Sequence, residues 1–140
     1  MVEIKQMNAP EVIAEVTQAF HAYEAALMAN DLEQLDQFFW DSEHVTRYGI
    51  ADKQLGIDQL RAYRTATPAP HFTRVLEQLR ISSFGLDTAV AQVEFVRSDT
   101  ALRGFQTQTW VRMQQGWKIV AAHVSMIPWD ESRESSASIN

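Results

Sequence analysis

The chain has 140 residues, 46% of them hydrophobic, which is enough for one domain with a sizeable core and too few for two. Eighteen acidic against twelve basic residues leave a net charge of -6, so the footprint that phosphate-backbone binding requires is missing and nucleic acid is not an expected partner. The absence of cysteine excludes disulfides, thiol nucleophiles and thiolate metal sites together.

The first predicted element is a helix. Asn8-Ala9-Pro10-Glu11 sets a capping residue before a proline, with a glutamate three positions on, and Ile13, Val16, Phe20, Tyr23 and Leu27 then recur every three or four residues up to Asn30. Tyr23 therefore faces inward. Asp31 with Gln34 repeats the capping pattern for a shorter helix carrying Leu32, Leu35, Phe38 and Phe39. Short strands around His44 to Tyr48 and Asp52 to Leu55 follow, with Val45 and Arg47 sharing one parity. A third helix opens at Gly56-Ile57-Asp58, runs through Leu60 and Tyr63, and stops at Thr67-Pro68-Ala69-Pro70. From Phe72 onward the pattern is extended, with four strands expected near 72–84, 88–97, 102–114 and 116–127, separated by Gly85-Leu86-Asp87, Ser98-Asp99 and Gln115-Gly116. Such short connections join antiparallel neighbours. Helices followed by a meander imply an α+β fold, three helices covering a curved, mainly antiparallel sheet, in a single domain over 1–129. The Ser-rich segment 130–140 reads as a disordered tail.

The last strand carries the most regular signal. In the run from Trp117 to Ser125, one parity collects Trp117, Ile119, Ala121, His123 and Ser125, so small and polar side chains share the face of a core tryptophan. That face should meet a cavity, with His123 and Ser125 lining it.

A long helix, a helical corner, a short arginine-bearing strand and a closing strand of the form Gly-Trp-x-Ile-x-x-x-His-x-Ser together resemble the cone-shaped nuclear transport factor 2-like, or SnoaL-like, superfamily. Gly116, Trp117, Ile119, His123 and Ser125 match that closing strand. Within the superfamily, Val45-Thr46-Arg47-Tyr48-Gly49, Gln108-Thr109-Trp110-Val111-Arg112 and the run from Ile119 to Ser125 are similar to the AtzH- and HpxZ-like family, linked to cyanuric acid and oxalurate catabolism. The resemblance spans Asn8 to Ile127. It implies a pocketed cone, a homodimer packed through the outer sheet face, and an amidase as functional neighbour in the pathway. It also implies a small cofactor-free hydrolase that converts the N-carboxylated urea dicarboxyurea to allophanate, with Tyr23 and Arg47 as the essential pair. The alternative is a noncatalytic ligand-binding or accessory subunit of an amidase in ureido-acid catabolism.

Physical chemistry supports those assignments. A urea bearing N-carboxylates is small, planar and anionic, and a guanidinium fork matches a carboxylate, so Arg47 is the expected clamp. Loss of the N-carboxylate needs a proton at the departing nitrogen, or a donor to the urea oxygen, and a phenol such as Tyr23 can supply either. Arg64, Trp110, His123 and Ser125 are further candidates for contact with the small anionic ureido substrate. Each has a bland competitor: a core role for Tyr23, an ion pair of Arg47 with Glu94 or Glu43, a structural hydrogen bond for His123, a pocket-wall or dimer contact for Trp110, and a solvated surface for Arg61 and Arg64. An isomerase-type reading would need a cavity carboxylate, for which Glu94 is the obvious strand candidate. The four histidines are scattered without metal-ligand spacing, and the five glycines form no phosphate loop, so neither metal nor nucleotide cofactor is expected. No apolar run reaches the roughly 20 residues needed to cross a bilayer, and no signal-type stretch follows Met1, so a cytoplasmic protein without a membrane partner is expected.

Overall fold

The computed structural model describes residues 1–130. The expectation of a disordered tail therefore falls, beyond Asp130, outside the described residues. Helix α1 (Pro10–Met28) begins with proline in its first turn, where the missing amide proton costs nothing. Its buried face is Val12, Val16, Phe20 and Tyr23, at the steps of three and four that bring side chains onto one stripe. Asn8 does not cap the helix, contrary to the sequence expectation. Its φ of 56° turns the chain, and its amide oxygen accepts a bond from the Ser83 amide at 2.9 Å, so it ties the helix entry to the sheet. Asp31 does cap α2 (Leu32–Gln37), accepting from the Gln34 amide at 3.2 Å. Helix α3 (Ile57–Ala66) ends where Thr67 turns extended before Pro68.

Among the described residues six strands form one sheet, in the spatial order β2 (Lys53–Leu55), β1 (Thr46–Tyr48), β6 (Gly116–Ile127), β5 (Arg103–Met113), β4 (Thr88–Arg97) and β3 (Arg74–Ser83). β1 pairs antiparallel with β2 and parallel with β6. β3, β4, β5 and β6 form the antiparallel meander predicted from the turn signals. The helices lie over one face. There Ala89, Ala91, Val93, Trp110 and Ile119 pack with the α1 stripe, Leu35, Phe39 and Val45. Each of the larger side chains stabilises the fold by about 1.5–3 kcal/mol through burial. Among the described residues no helix is long and apolar enough to cross a membrane.

Two bulges break the alternation. In β3, Gln78 has a φ of 55°, and the register skips between Glu77 and Arg80. In β6, Trp110 pairs with Ile119 while Thr109 pairs with Ala121, which leaves Val120 as the extra residue. The second bulge corrects the sequence reading. Parity reverses at Val120, so Ile119 lies inward with Ala122 and Val124, while Ala121, His123 and Ser125 fall on the outer face.

Candidate functional site

The inner face of the sheet and the helices enclose a cavity of about 300 Å³. Tyr23, Leu27 and Met28 from α1 form one wall, Tyr63 and Arg64 from α3 another, and the segment Thr67 to Phe72 lies along the cavity's edge. From the sheet come Arg47, Arg74, Phe95, Arg97, Gln106, Gln108, Ala122 and Val124. Four arginines thus line the cavity, and no aspartate or glutamate does among the described residues.

Tyr23 is placed by the apolar stripe of α1. It is only 4% exposed, and its ring stands edge-on to Phe38 and Phe39 at 6.1 and 5.9 Å. Its hydroxyl oxygen accepts a bond from Arg64 Nη2 at 3.4 Å. With that oxygen engaged as acceptor, the phenol proton remains to be given to a ligand. Arg64 lies over the rings of Phe39 and Tyr63, each at 5.7 Å, and its Nε is buried without a hydrogen-bond partner. Among the described residues no carboxylate pairs with it.

Arg47 enters from the inward parity of β1, as its alternation with Val45 predicts. Nη1 donates to Asp52 Oδ1 and to Gln54 Oε1, both at 2.9 Å, and the guanidinium stacks 4.5 Å from the centre of Tyr63. Its internal anion is therefore Asp52, and not the Glu94 or Glu43 suggested from the sequence. Gly49 makes this pairing possible, because a Cβ there would stand 2.3 Å from Asp52 Oδ1 and 2.7 Å from Arg47 Nη1. Both bonds use Nη1, so the Nε and Nη2 edge keeps the fork that a carboxylate needs.

The floor holds a second ion pair. Arg74 Nε lies 2.7 Å from Glu24 Oε1, with both side chains buried, and its guanidinium sits 3.9 Å from the centre of the Phe95 ring. Burial raises the Glu24 pKa above its ordinary 4.5, opposed by the charge and hydrogen bond of Arg74. Arg97 pairs with Asp99 at 2.6 Å and covers Phe72. Glu94, the carboxylate an isomerase reading needed, is opposite Phe105 and accepts from Arg103 at 2.7 Å on the outer face.

Of the residues singled out in the sequence, Tyr23, Arg47 and Arg64 meet in the cavity. Trp110 does not line it. The indole is fully buried beneath the floor, edge-on to Phe38 at 6.2 Å, and donates to Gln108 Oε1 at 3.2 Å. His123 reaches the cavity margin, yet its ring packs edge-on against exposed Tyr48 at 5.7 Å, and its neighbours in register, Tyr48 and Thr107, belong to the outer face. Ser125 pairs with Phe105 on that face and does not line the cavity. The Val120 bulge is the cause of both displacements. Arg61 bonds Asp36 at 2.7 Å outside the cavity. The sequence reading missed Arg74, Arg97, Gln106 and Gln108. A signal existed for the last two, since Gly104, Gln106, Gln108 and Trp110 put two amides on the buried parity of β5. No cluster of three or more metal-ligating side chains occurs among the described residues.

The chain is 43% identical to a protein of unknown function from the DUF3225 family of Pectobacterium atrosepticum, with a TM-score of 0.88 over 91% of this chain and 99% of that one. It is 40% identical to a cystatin-like fold protein from Burkholderia xenovorans, with a TM-score of 0.87 over 93% and 100% of the two chains. A nuclear transport factor 2-like superfamily protein from Salmonella enterica, 23% identical over 86% of this chain and 94% of that one, shares the fold at a TM-score of 0.68. No curated protein gives a match. The model of the AtzH-like family matches residues 5–130. By this match the chain belongs to the AtzH-like family.

Proposed function

We propose that the cavity binds a small N-carboxylated urea and removes one carboxylate, converting dicarboxyurea to allophanate without a cofactor. The observation that carries this reading is the wall itself: among the described residues, four arginines without a lining carboxylate, around a tyrosine whose oxygen is engaged by Arg64. The free fork of Arg47 holds one carboxylate, and Arg64, which has no counter-ion among the described residues, draws negative charge toward Tyr23. In the reaction the bond between one urea nitrogen and its carboxyl carbon breaks. Carbon dioxide leaves, the electron pair stays on nitrogen, and one proton completes the amide of allophanate. Tyr23 gives that proton, and solvent returns it to the phenol. The alternative role for the hydroxyl is to donate to the urea oxygen as charge develops there, with solvent supplying the proton to nitrogen.

Turnover by the isolated chain tests the proposal. Dicarboxyurea generated in place by an amidase should disappear faster with the protein than without it. A rate equal to the blank would favour the accessory-subunit reading, in which the same donors hold an intermediate for a partner amidase. We further propose, from the family resemblance, that two copies pair through the outer sheet face that bears Tyr48, Thr107 and His123. Sedimentation velocity would show a dimer if this is right and a monomer if it is wrong.

A further inference from the structure

Two buried amides on the cavity floor have orientations set by their neighbours. Gln106 is 7% exposed and Gln108 1%, and both line the cavity. Arg74 Nη2 donates to Gln106 Oε1 at 3.4 Å, and Trp110 Nε1 donates to Gln108 Oε1 at 3.2 Å. A guanidinium and an indole can only donate, so in each glutamine the oxygen must face the neighbour and the NH2 group must point away from it. Gln106 Nε2 is buried without a partner among the described residues. A buried donor left unpaired costs about 1–3 kcal/mol, so its persistence calls for an acceptor from outside the chain.

The sheet register shows where that acceptor lies. Arg47 is paired with Ala122, and Ala122 with Gln108, so the three stand in one row across β1, β6 and β5. An arginine and an amide thus flank an alanine at twice the strand spacing, about 10 Å between backbones. The small side chain of Ala122 leaves the space between them open. Gln106 lies two residues along β5, about 7 Å away, on the same face. We infer that Gln106 and Gln108 form a receptor for a second carboxylate, opposite Arg47, and make the site selective for dianions with a short acyclic spacer. Trp110 and Arg74 act as positioning residues by fixing the two amides. The inference rests on the anion-site reading of Arg47 and adds the other end of the ligand to it. An uncharged receptor there has a chemical consequence. It holds the retained carboxylate without a salt bridge, so the monoanionic product binds more weakly than the dianion and leaves.

The probes are glutarate, whose five-carbon chain carries a carboxylate at each end and loses neither, and butyrate, which has one. By calorimetry the wild type should bind glutarate at least about tenfold more tightly than butyrate, and Gln106→Met should erase most of that preference. Gln108 is so deeply buried that a variant there risks misfolding. The side-chain NH2 signals of the folded wild type therefore provide the second readout, with the Gln106 pair identified by its loss in Gln106→Met. Both NH2 pairs should shift with glutarate and neither with butyrate. If Arg47→Ala abolishes glutarate binding while Gln106→Met keeps the preference and the amide signals stay still, the glutamine receptor is wrong and the Arg47 site survives. If glutarate fails to bind the wild type at millimolar concentration, both readings fall.

Discussion

At the scale of single residues, the cavity is governed by which arginines have internal counter-ions. Arg47, Arg74 and Arg97 are matched by Asp52, Glu24 and Asp99, whereas Arg64 contacts a phenol and two aromatic rings. Asp52 therefore competes with any anion for Arg47. Asp52→Asn should tighten glutarate binding by about threefold to tenfold, since the carboxylate is partly solvated and its attraction is screened. Weaker binding by calorimetry would mean that Asp52 orients the guanidinium more than it neutralises it. Glu24 supplies a pH prediction. Its folded pKa is raised above 4.5, so the stability linked to its proton is present below that value and lost as the pH rises through the folded pKa. Removing the offsetting cation with Arg74→Met should cost about 3–5 kcal/mol at neutral pH, and clearly less near pH 4.5, where the carboxyl takes up a proton. Urea unfolding at the two pH values would measure this, and equal losses would contradict it. The inward placement of Tyr23 and Arg47 was legible in the sequence because one sits on a helical stripe and the other alternates with Val45, whereas their pairing as the expected essential residues came from the family resemblance. The counter-ions were not legible, since Asp52 reaches Arg47 across a turn opened by Gly49, and Glu24 on α1 meets Arg74 on β3, far along the chain.

At the scale of elements, bulges decide which side chains enter the cavity. The helix positions and the β3 to β6 meander follow from periodicity and turn residues, whereas the parallel pairing of β1 with β6 carries no such local signal. The Val120 bulge was not predictable, because no glycine or proline marks it, and one unmarked residue moved His123 and Ser125 to the opposite face. The β3 bulge places Gln78 in left-handed backbone. Gln78→Gly should therefore stabilise the fold by up to about 1 kcal/mol, read as a higher urea midpoint with an unchanged slope. No gain would mean that the side-chain contacts of Gln78 offset the strain. Close packing across strands sets a further constraint. A Cβ on Gly104 would lie 2.1 Å from the Phe95 ring, over which the Arg74 guanidinium sits 3.9 Å from the centre. Gly104→Ala should cost about 1–3 kcal/mol and displace the ring beneath Arg74, visible as a loss of thermal stability together with weaker glutarate binding. Loss of stability with intact binding would separate Phe95 from the site.

At the scale of the whole molecule, a chain of net charge -6 concentrates four of its cations around one cavity. On the proposed reading, the surrounding negative charge disfavours polyanions while the positive wall favours a small anion. The cone supplies this by geometry: helices close one face of the sheet, and the inward parity of β1, β5 and β6 delivers arginine, amides and a gap at Ala122 to the same place. The most direct measurement is the first-order loss of dicarboxyurea, formed in place, with wild type, Tyr23→Phe and Arg47→Ala, each confirmed as folded by circular dichroism. Acceleration by the wild type, reduced by about 10²-fold or more in Tyr23→Phe, is the predicted result, with Arg47→Ala losing turnover through substrate binding. Equal rates for all three folded proteins, matching the uncatalysed decay, would contradict the catalytic account of the cavity.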